Sequence, residues 1–107
     1  MSALPVAIPE EFLGEFCGRN HIQKLSLFGS VLTPRFGPES DVDILVEFDP
    51  NHVPGFLTLA GMELELSEKL GWKVDLRTAE DLSRYFRSEV VSSAVPQYPT
   101  PLIDERP

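Results

Sequence analysis

The run Asp41-Val42-Asp43-Ile44-Leu45-Val46-Glu47-Phe48 constrains the fold more than any other stretch of the chain. Successive side chains of a strand point to opposite faces. Val42, Ile44, Val46 and Phe48 therefore share one apolar face, while Asp41, Asp43, Leu45 and Glu47 share the other. The pattern predicts a strand with core on one side and a largely polar surface on the other. Two carboxylates stand at its mouth.

A second apolar run precedes it. In Ile22-Gln23-Lys24-Leu25-Ser26-Leu27-Phe28 the residues Ile22, Leu25, Leu27 and Phe28 read as a strand, broken by Gly29-Ser30. Residues 31–40 carry Pro34, Gly37 and Pro38, which preclude a regular element and predict an ordered or semi-ordered loop.

Upstream, Pro9 and two acids suit a helix N-terminus, and Phe12, Leu13, Phe16 and Cys17 fall on one face of a helix ending near Asn20. Downstream, Phe56, Leu59, Met62, Leu66 and Leu70 form a helical stripe closed by Gly71 as its C′ residue. Trp72 to Thr78 then predicts a short strand with Val74 and Leu76 inward. Thr78 and Asp81 resemble a capping box, with Asp in the usual Glu position. A last helix is expected from about Ala79 to about Ser93, burying Leu82, Tyr85, Phe86 and Val90.

The order helix, strand, strand, helix, strand, helix implies an α/β fold, a small mixed β-sheet packed against helices. At 107 residues the chain supports one domain, assigned to residues 1–95. Residues 96–107 are expected as a proline-rich tail, flexible or docked on a partner, since four prolines fall in the last thirteen positions.

The chemistry rests on three carboxylates. Asp41 and Asp43, at i and i+2 of a strand, project from the same face about 6.7 Å apart along the chain. Alone, such a pair reads as a solvated strand start. Asp75 adds a third acid mid-strand, with its neighbours Val74 and Leu76 directed into the core. If the two strands pair, three acids converge on one polar face. Such a cluster is costly without a divalent cation, and hard oxygen donors suit Mg²⁺, which also recruits phosphates. Gly29 permits close backbone approach, and the Ser30 hydroxyl with nearby N–H groups can bind phosphate oxygens. Together these features describe a metal-assisted phosphoryl or nucleotidyl transfer site.

The combination Leu27-Phe28-Gly29-Ser30, Asp41-Val42-Asp43-Ile44 and Val74-Asp75-Leu76 resembles the DNA polymerase β-type nucleotidyltransferase superfamily. Within it, the chain length and the string Ser40 to Phe48 resemble the minimal nucleotidyltransferase (MNT) proteins, antitoxin partners of HEPN-domain RNase toxins. The resemblance covers about residues 10 to 95. It implies a polymerase β-like fold in which Gly29 and Ser30 hold the triphosphate of ATP. It further implies that Asp41 and Asp43 coordinate Mg²⁺, and that Asp75 binds the catalytic metal and helps activate the acceptor hydroxyl. The implied activity is transfer of AMP to a tyrosine of the toxin. One departure stands out: many relatives follow Gly-Ser with arginine, whereas Val31-Leu32-Thr33-Pro34 intervenes here. Arg35 either substitutes at the phosphates or is a surface arginine.

Charge and composition frame the partners. With 17 acidic and 9 basic residues, the net charge of −8 repels phosphate backbones, so direct nucleic-acid binding is not expected. A basic protein partner or a metal-neutralised substrate fits better, and the resemblance implies a hetero-oligomer with a HEPN toxin. No apolar run approaches the roughly 20 residues that span a bilayer. The N-terminus lacks signal-peptide character, and the single Cys17 reads as core packing, so the cytosol is the expected compartment. His21 and His52 lack metal-ligand spacing and read as structural or surface residues. Lys73 and Arg77 flank Asp75 and either neutralise phosphates or offset the acids. The leading function is an Mg²⁺- and ATP-dependent protein adenylyltransferase. The alternatives are a non-catalytic antitoxin that masks its toxin stoichiometrically, and nucleotidyl transfer to RNA or a small molecule.

Overall fold

The computed structural model describes residues 4–99. Helix α1 (Glu10–Arg19) follows Pro9 and carries Glu10 and Glu11 in its first turn and Arg19 in its last, each favourable for the helix dipole. It buries Leu13, Phe16 and Cys17. Asn20 ends it, its side-chain amide donating to the Phe16 carbonyl at 2.9 Å.

Strand β1 (Ile22–Phe28) pairs antiparallel with β2 (Val42–Phe48), and β2 pairs parallel with β3 (Val74–Arg77). The fourth strand, β4 (Val95–Tyr98), lies antiparallel on the other side of β1, giving the order β3-β2-β1-β4. The mixed sheet packed against helices is the expected architecture. Its apolar face meets α1 and α2 (Phe56–Leu70) in one core containing Phe16, Leu25, Leu27, Val42, Ile44 and Leu66. Fully burying each large apolar side chain contributes about 1.5–3 kcal/mol.

Helix α2 also closes the open edge of β3. The Val74 N–H donates to Ser67 Oγ at 2.9 Å and the Leu76 N–H to Glu63 Oε2 at 2.7 Å. Residues i and i+2 of a strand are about 6.7 Å apart and residues i and i+4 of a helix about 6 Å, so the two spacings match. An edge covered in this way cannot recruit a stray strand. Gly71 ends the helix in the left-handed region at φ 76°, as its C′ role requires.

Three expectations are corrected. Phe56, placed in the buried stripe of α2, is 82% exposed. Fifteen helical residues extend about 22 Å and the four residues of β3 about 13 Å, so the first turn of α2 outruns the strand beneath it.

The last helix does not start at Ala79. Thr78 and Asp81 do form a capping box, but it closes only a 3-10 turn, Ala79–Asp81. Leu82 is extended, and Ser83 caps a fresh helix, α3 (Arg84–Ser93), by accepting from the Tyr85 N–H. Arg87 ties the two pieces, donating to the carbonyls of Ala79 at 2.7 Å and Leu82 at 3.0 Å. Redirected by this break, α3 buries none of its residues, and Tyr85 and Phe86 are 82% and 60% exposed.

The tail does not begin at residue 96 as an unpaired segment. Val95–Tyr98 is a sheet strand, with Leu25 opposite Tyr98 and Leu27 opposite Val95. Pro96 is tolerated because an edge strand leaves half of its N–H groups unneeded. The remainder of the expected tail, residues 100–107, lies outside the described residues.

Candidate active site

The β1–β2 register sets Phe28 opposite Asp43, and the parallel β2–β3 register sets Asp43 opposite Asp75. Gly29 just past β1, Asp43 on β2 and Asp75 on β3 therefore lie at one end of the sheet. Asp43 and Asp75 lie side by side on the face predicted to be polar, while Leu45 on that same face is buried.

Gly29 has φ +80°, a conformation that L side chains rarely adopt. A Cβ built there would collide with Asp43 Oδ2 and stand 3.1 Å from Asp43 Cγ. Backbone and carboxylate are in contact, an approach that glycine favours and that a side chain would disturb. The chain continues as a 3-10 turn, Gly29–Leu32, anchored by buried Val31. The Ser30 carbonyl accepts from both the Thr33 N–H and the Thr33 hydroxyl at 2.9 Å. The Ser30 hydroxyl makes no hydrogen bond among the described residues and is available to a ligand.

The 31–40 loop is ordered. Phe36 packs on Trp72 with ring centroids 4.7 Å apart, and the Gly37 N–H donates to Ser40 Oγ at 3.0 Å. Arg35 is exposed; its backbone N–H donates to Thr33 Oγ1, and its guanidinium has no partner among the described residues.

Burial, then the charges of Asp75 and Asp41, holds the Asp43 carboxyl above its usual range, with Arg77 opposing the shift. Asp75 is gripped by Arg77, Nε to Oδ1 at 3.1 Å and Nη2 to Oδ2 at 3.2 Å. The same pairing raises the Arg77 pKa. Lys73 reaches Asp41 rather than Asp75, at 3.9 Å. Asp43 alone of the three has neither an ion pair nor a hydrogen bond among the described residues.

As placed, no three His, Cys, Asp or Glu side chains among the described residues form a group that could hold a metal ion. The donor chemistry nonetheless fits Mg²⁺. Asp43 feels the charges of both Asp75 and Asp41, and these two stand beside side-chain cations, Asp75 against Arg77 and Asp41 3.9 Å from Lys73. Asp43, Asp41 and Asp75 are the residues that would hold such an ion in exchange for Lys73 and Arg77.

Beside Asp75 opens a cleft of about 280 Å³, lined in part by Phe56, Leu59, Glu63, Arg77 and Asp81. Sequence reasoning missed this cleft. Its only legible trace was Phe56, assigned to the core because its spacing continued the α2 stripe.

The other candidates stand apart from this end of the sheet. His21 and His52 stack with centroids 3.8 Å apart beside Asp49, at the opposite end of the β1–β2 pair. Cys17 is fully buried, and burial pushes its thiol up to about 12, as a packing role requires. Among the described residues no helix is long and apolar enough to cross a membrane.

A glycine turn against paired strand carboxylates on a small mixed sheet defines a nucleotide-transfer domain of the polymerase β-like class. The chain belongs to the nucleotidyltransferase domain family, whose model matches residues 9–96. It is 39% identical over 61 residues to MJ1379 of Methanocaldococcus jannaschii, described as a candidate protein adenylyltransferase. That match covers 57% of this chain and 61% of the relative, so the chain spans about three fifths of that relative's length. A solved minimal nucleotidyltransferase candidate superposes with a TM-score of 0.67 at 30% identity, covering 81% of this chain and 87% of the other. A toxin-antitoxin complex with AMP-PNP superposes with the same TM-score at 22% identity, covering 83% of this chain and 72% of the other, a likeness of fold.

Proposed function

We propose that this chain is an antitoxin that transfers AMP from ATP to a tyrosine hydroxyl of a cognate HEPN RNase toxin in the cytosol. The observation that carries this reading is the contact of Gly29 with Asp43 beside in-register Asp75. A phosphate cradle and a carboxylate pair are adjoined on neighbouring strands. The description of MJ1379 as an adenylyltransferase candidate and the AMP-PNP in the toxin-antitoxin neighbour support the donor and the partner.

Within this reading each residue has a role compatible with its position. The bare Gly29 backbone admits a phosphate close to the turn, and the unengaged Ser30 hydroxyl donates to a phosphate oxygen. Arg35, whose guanidinium has no partner among the described residues, would reach the phosphates in place of the arginine that follows Gly-Ser in many relatives. Asp41, Asp43 and Asp75 would hold Mg²⁺, which would offset charge on the triphosphate and on the departing pyrophosphate. The acceptor oxygen forms a bond to the α-phosphorus, the α–β anhydride P–O bond breaks, and pyrophosphate leaves. The acceptor proton passes to Asp75 and then to water.

The second reading, neutralisation by binding alone, draws on one observation: Asp41 and Asp75 are already paired with Lys73 and Arg77. The discriminating experiment incubates the protein with toxin, ATP and Mg²⁺ and weighs the toxin. A gain equal to one or more AMP groups, abolished by D41A/D43A, supports transfer. Full neutralisation by the double variant supports masking.

A further inference from the structure

Helix α2 carries two apolar lines. Leu59, Met62, Leu66 and Leu70 pack into or against the core. With about 100° of rotation per residue, Leu57, Gly61 and Leu64 fall within roughly 60° of one another, about 180° around the helix from that core line. Leu57 is 83% and Leu64 66% exposed, and Val53, just ahead of the helix, is 65% exposed. A surface helix ordinarily turns polar residues outward, so a second apolar line marks a face that another element covers.

Gly61 stands in the middle of this line. Glycine inside a helix is less favourable than alanine, yet a Cβ at Gly61 would meet nothing within 4 Å, so no contact among the described residues requires its absence. What the missing side chain leaves is room for a second helix to approach the α2 backbone between Leu57 and Leu64.

Charge separates the possible occupants. Helices α1 and α2 lie side by side, with Arg19 on Glu65 at 2.8 Å and Lys69 over the Phe12 ring at 5.3 Å. α1 has three glutamates against Arg19 and α2 three against Lys69, so this layer carries four of the eight net negative charges of the chain. Glu68, exposed, continues the line one turn beyond Leu64. A second copy would set this negative layer against itself, and residues 100–107 carry Asp104 and Glu105 against Arg106. Only a cationic partner complements the face.

We infer that the outer face of α2 is a docking surface for an amphipathic helix of a basic partner protein, its apolar side seated on Leu57 and Leu64 across Gly61 and its lysines or arginines beside Glu68. The face looks away from the sheet, whereas Asp43 and Asp75 project from the side of the sheet opposite the helices. A helix docked there leaves the carboxylates open.

The test uses the full chain and dye-labelled helical peptides whose leucines recur every three or four residues, flanked either by lysines or by glutamates, with affinity read by fluorescence anisotropy in the absence of nucleotide. Leu57 and Leu64 are exposed, so Leu57→Glu and Leu64→Glu retain the fold, as an unchanged Tm will verify. The expected result is a loss of affinity for the lysine-flanked peptide of roughly tenfold or more in either variant. Each substitution adds an acid, so attraction by charge alone would strengthen binding instead. The glutamate-flanked peptide binds the parent more weakly. Gly61→Gln should raise the Tm, because glutamine is the better helix former, and should weaken docking, whereas a glycine with no docking role predicts the rise alone. Mg²⁺-dependent ATP binding stays unchanged in all three variants.

Peptide affinity unaffected by the three substitutions, or equal affinity for the two peptides, would overturn the assignment. A parent that sediments as a dimer and a Leu57→Glu variant that sediments as a monomer would give the face to a second copy. Tighter peptide binding after Leu102→Glu would give it to the chain's own C-terminal segment. Both results would reject the basic partner. The assay contains no ATP, so docking without AMP transfer keeps the surface and rejects the transfer reading, and transfer without docking does the reverse.

Discussion

Gly29 and Asp43 are in contact across the β1–β2 pair, and any side chain at position 29 would be strained and would have to displace the Asp43 carboxylate. The contact couples the Gly29 turn to the central carboxylate, so a change in either is felt by both.

Gly29→Ala should be costly for two reasons: the left-handed φ penalises a Cβ, and that Cβ meets Asp43. A loss of about 2 kcal/mol is expected, together with weakened Mg²⁺-dependent ATP binding. Gly37→Ala is the control, because a Cβ there meets only the Arg35 carbonyl at an ordinary 3.9 Å. Thermal unfolding of both variants checks this; equal Tm values would refute it.

Asp43→Asn should stabilise the metal-free protein at neutral pH. Burial and neighbouring charges raise the Asp43 pKa on folding, so the folded chain binds more protons than the unfolded chain between the two pKa values. Stability therefore falls as pH rises through that window, and the parent carries the full cost above it. The asparagine variant escapes this cost, so its Tm advantage should vanish as pH drops below the ordinary carboxylate range. Adding Mg²⁺ should raise the Tm of the parent and not of the variant. A variant less stable than its parent at neutral pH would contradict the electrostatic account.

Glu63→Ala should loosen the β3 edge, since it removes the acceptor for the Leu76 N–H. An unsatisfied, partly buried amide costs about 1–3 kcal/mol. Glu63→Gln keeps an acceptor and should lose less. Amide hydrogen exchange at Leu76 reads the effect directly, and equal protection in Glu63→Ala and parent would count against the edge-covering role.

Cys17 should resist alkylation in the native state. Its thiol is buried and pushed up to about 12, so little thiolate exists near neutral pH. Labelling by a maleimide should track global unfolding in denaturant. Fast labelling of the native protein would place the thiol at the surface.

Much of the fold was legible because its elements carry a clean period. The alternation of β2, the apolar face of α1 and the Gly71 terminus of α2 each depend on local geometry. The juxtaposition of Asp43 and Asp75 was legible in the same way, since both lie on strands with apolar neighbours, and the register sets them opposite one another. Tertiary features were hidden. Thr78-Asp81 and Ser83 are competing helix starts within six residues, and only the folded chain shows that both are used. The prolines of the C-terminal segment concealed β4, because their lost N–H groups matter little on an edge. Phe56 kept the period of a core stripe although no strand lies beneath it. For Arg77 the sequence left phosphate contact and charge balance equally open, and in the folded chain its guanidinium bonds Asp75.

The central claim is that Asp43 and Asp75 serve nucleotide transfer rather than architecture. Mass measurement of the partner toxin after incubation with ATP and Mg²⁺ tests it most directly, comparing the parent with a folded Asp75→Asn variant. The account predicts an added AMP mass with the parent and none with the variant. An unmodified toxin that is fully neutralised by both proteins would contradict it.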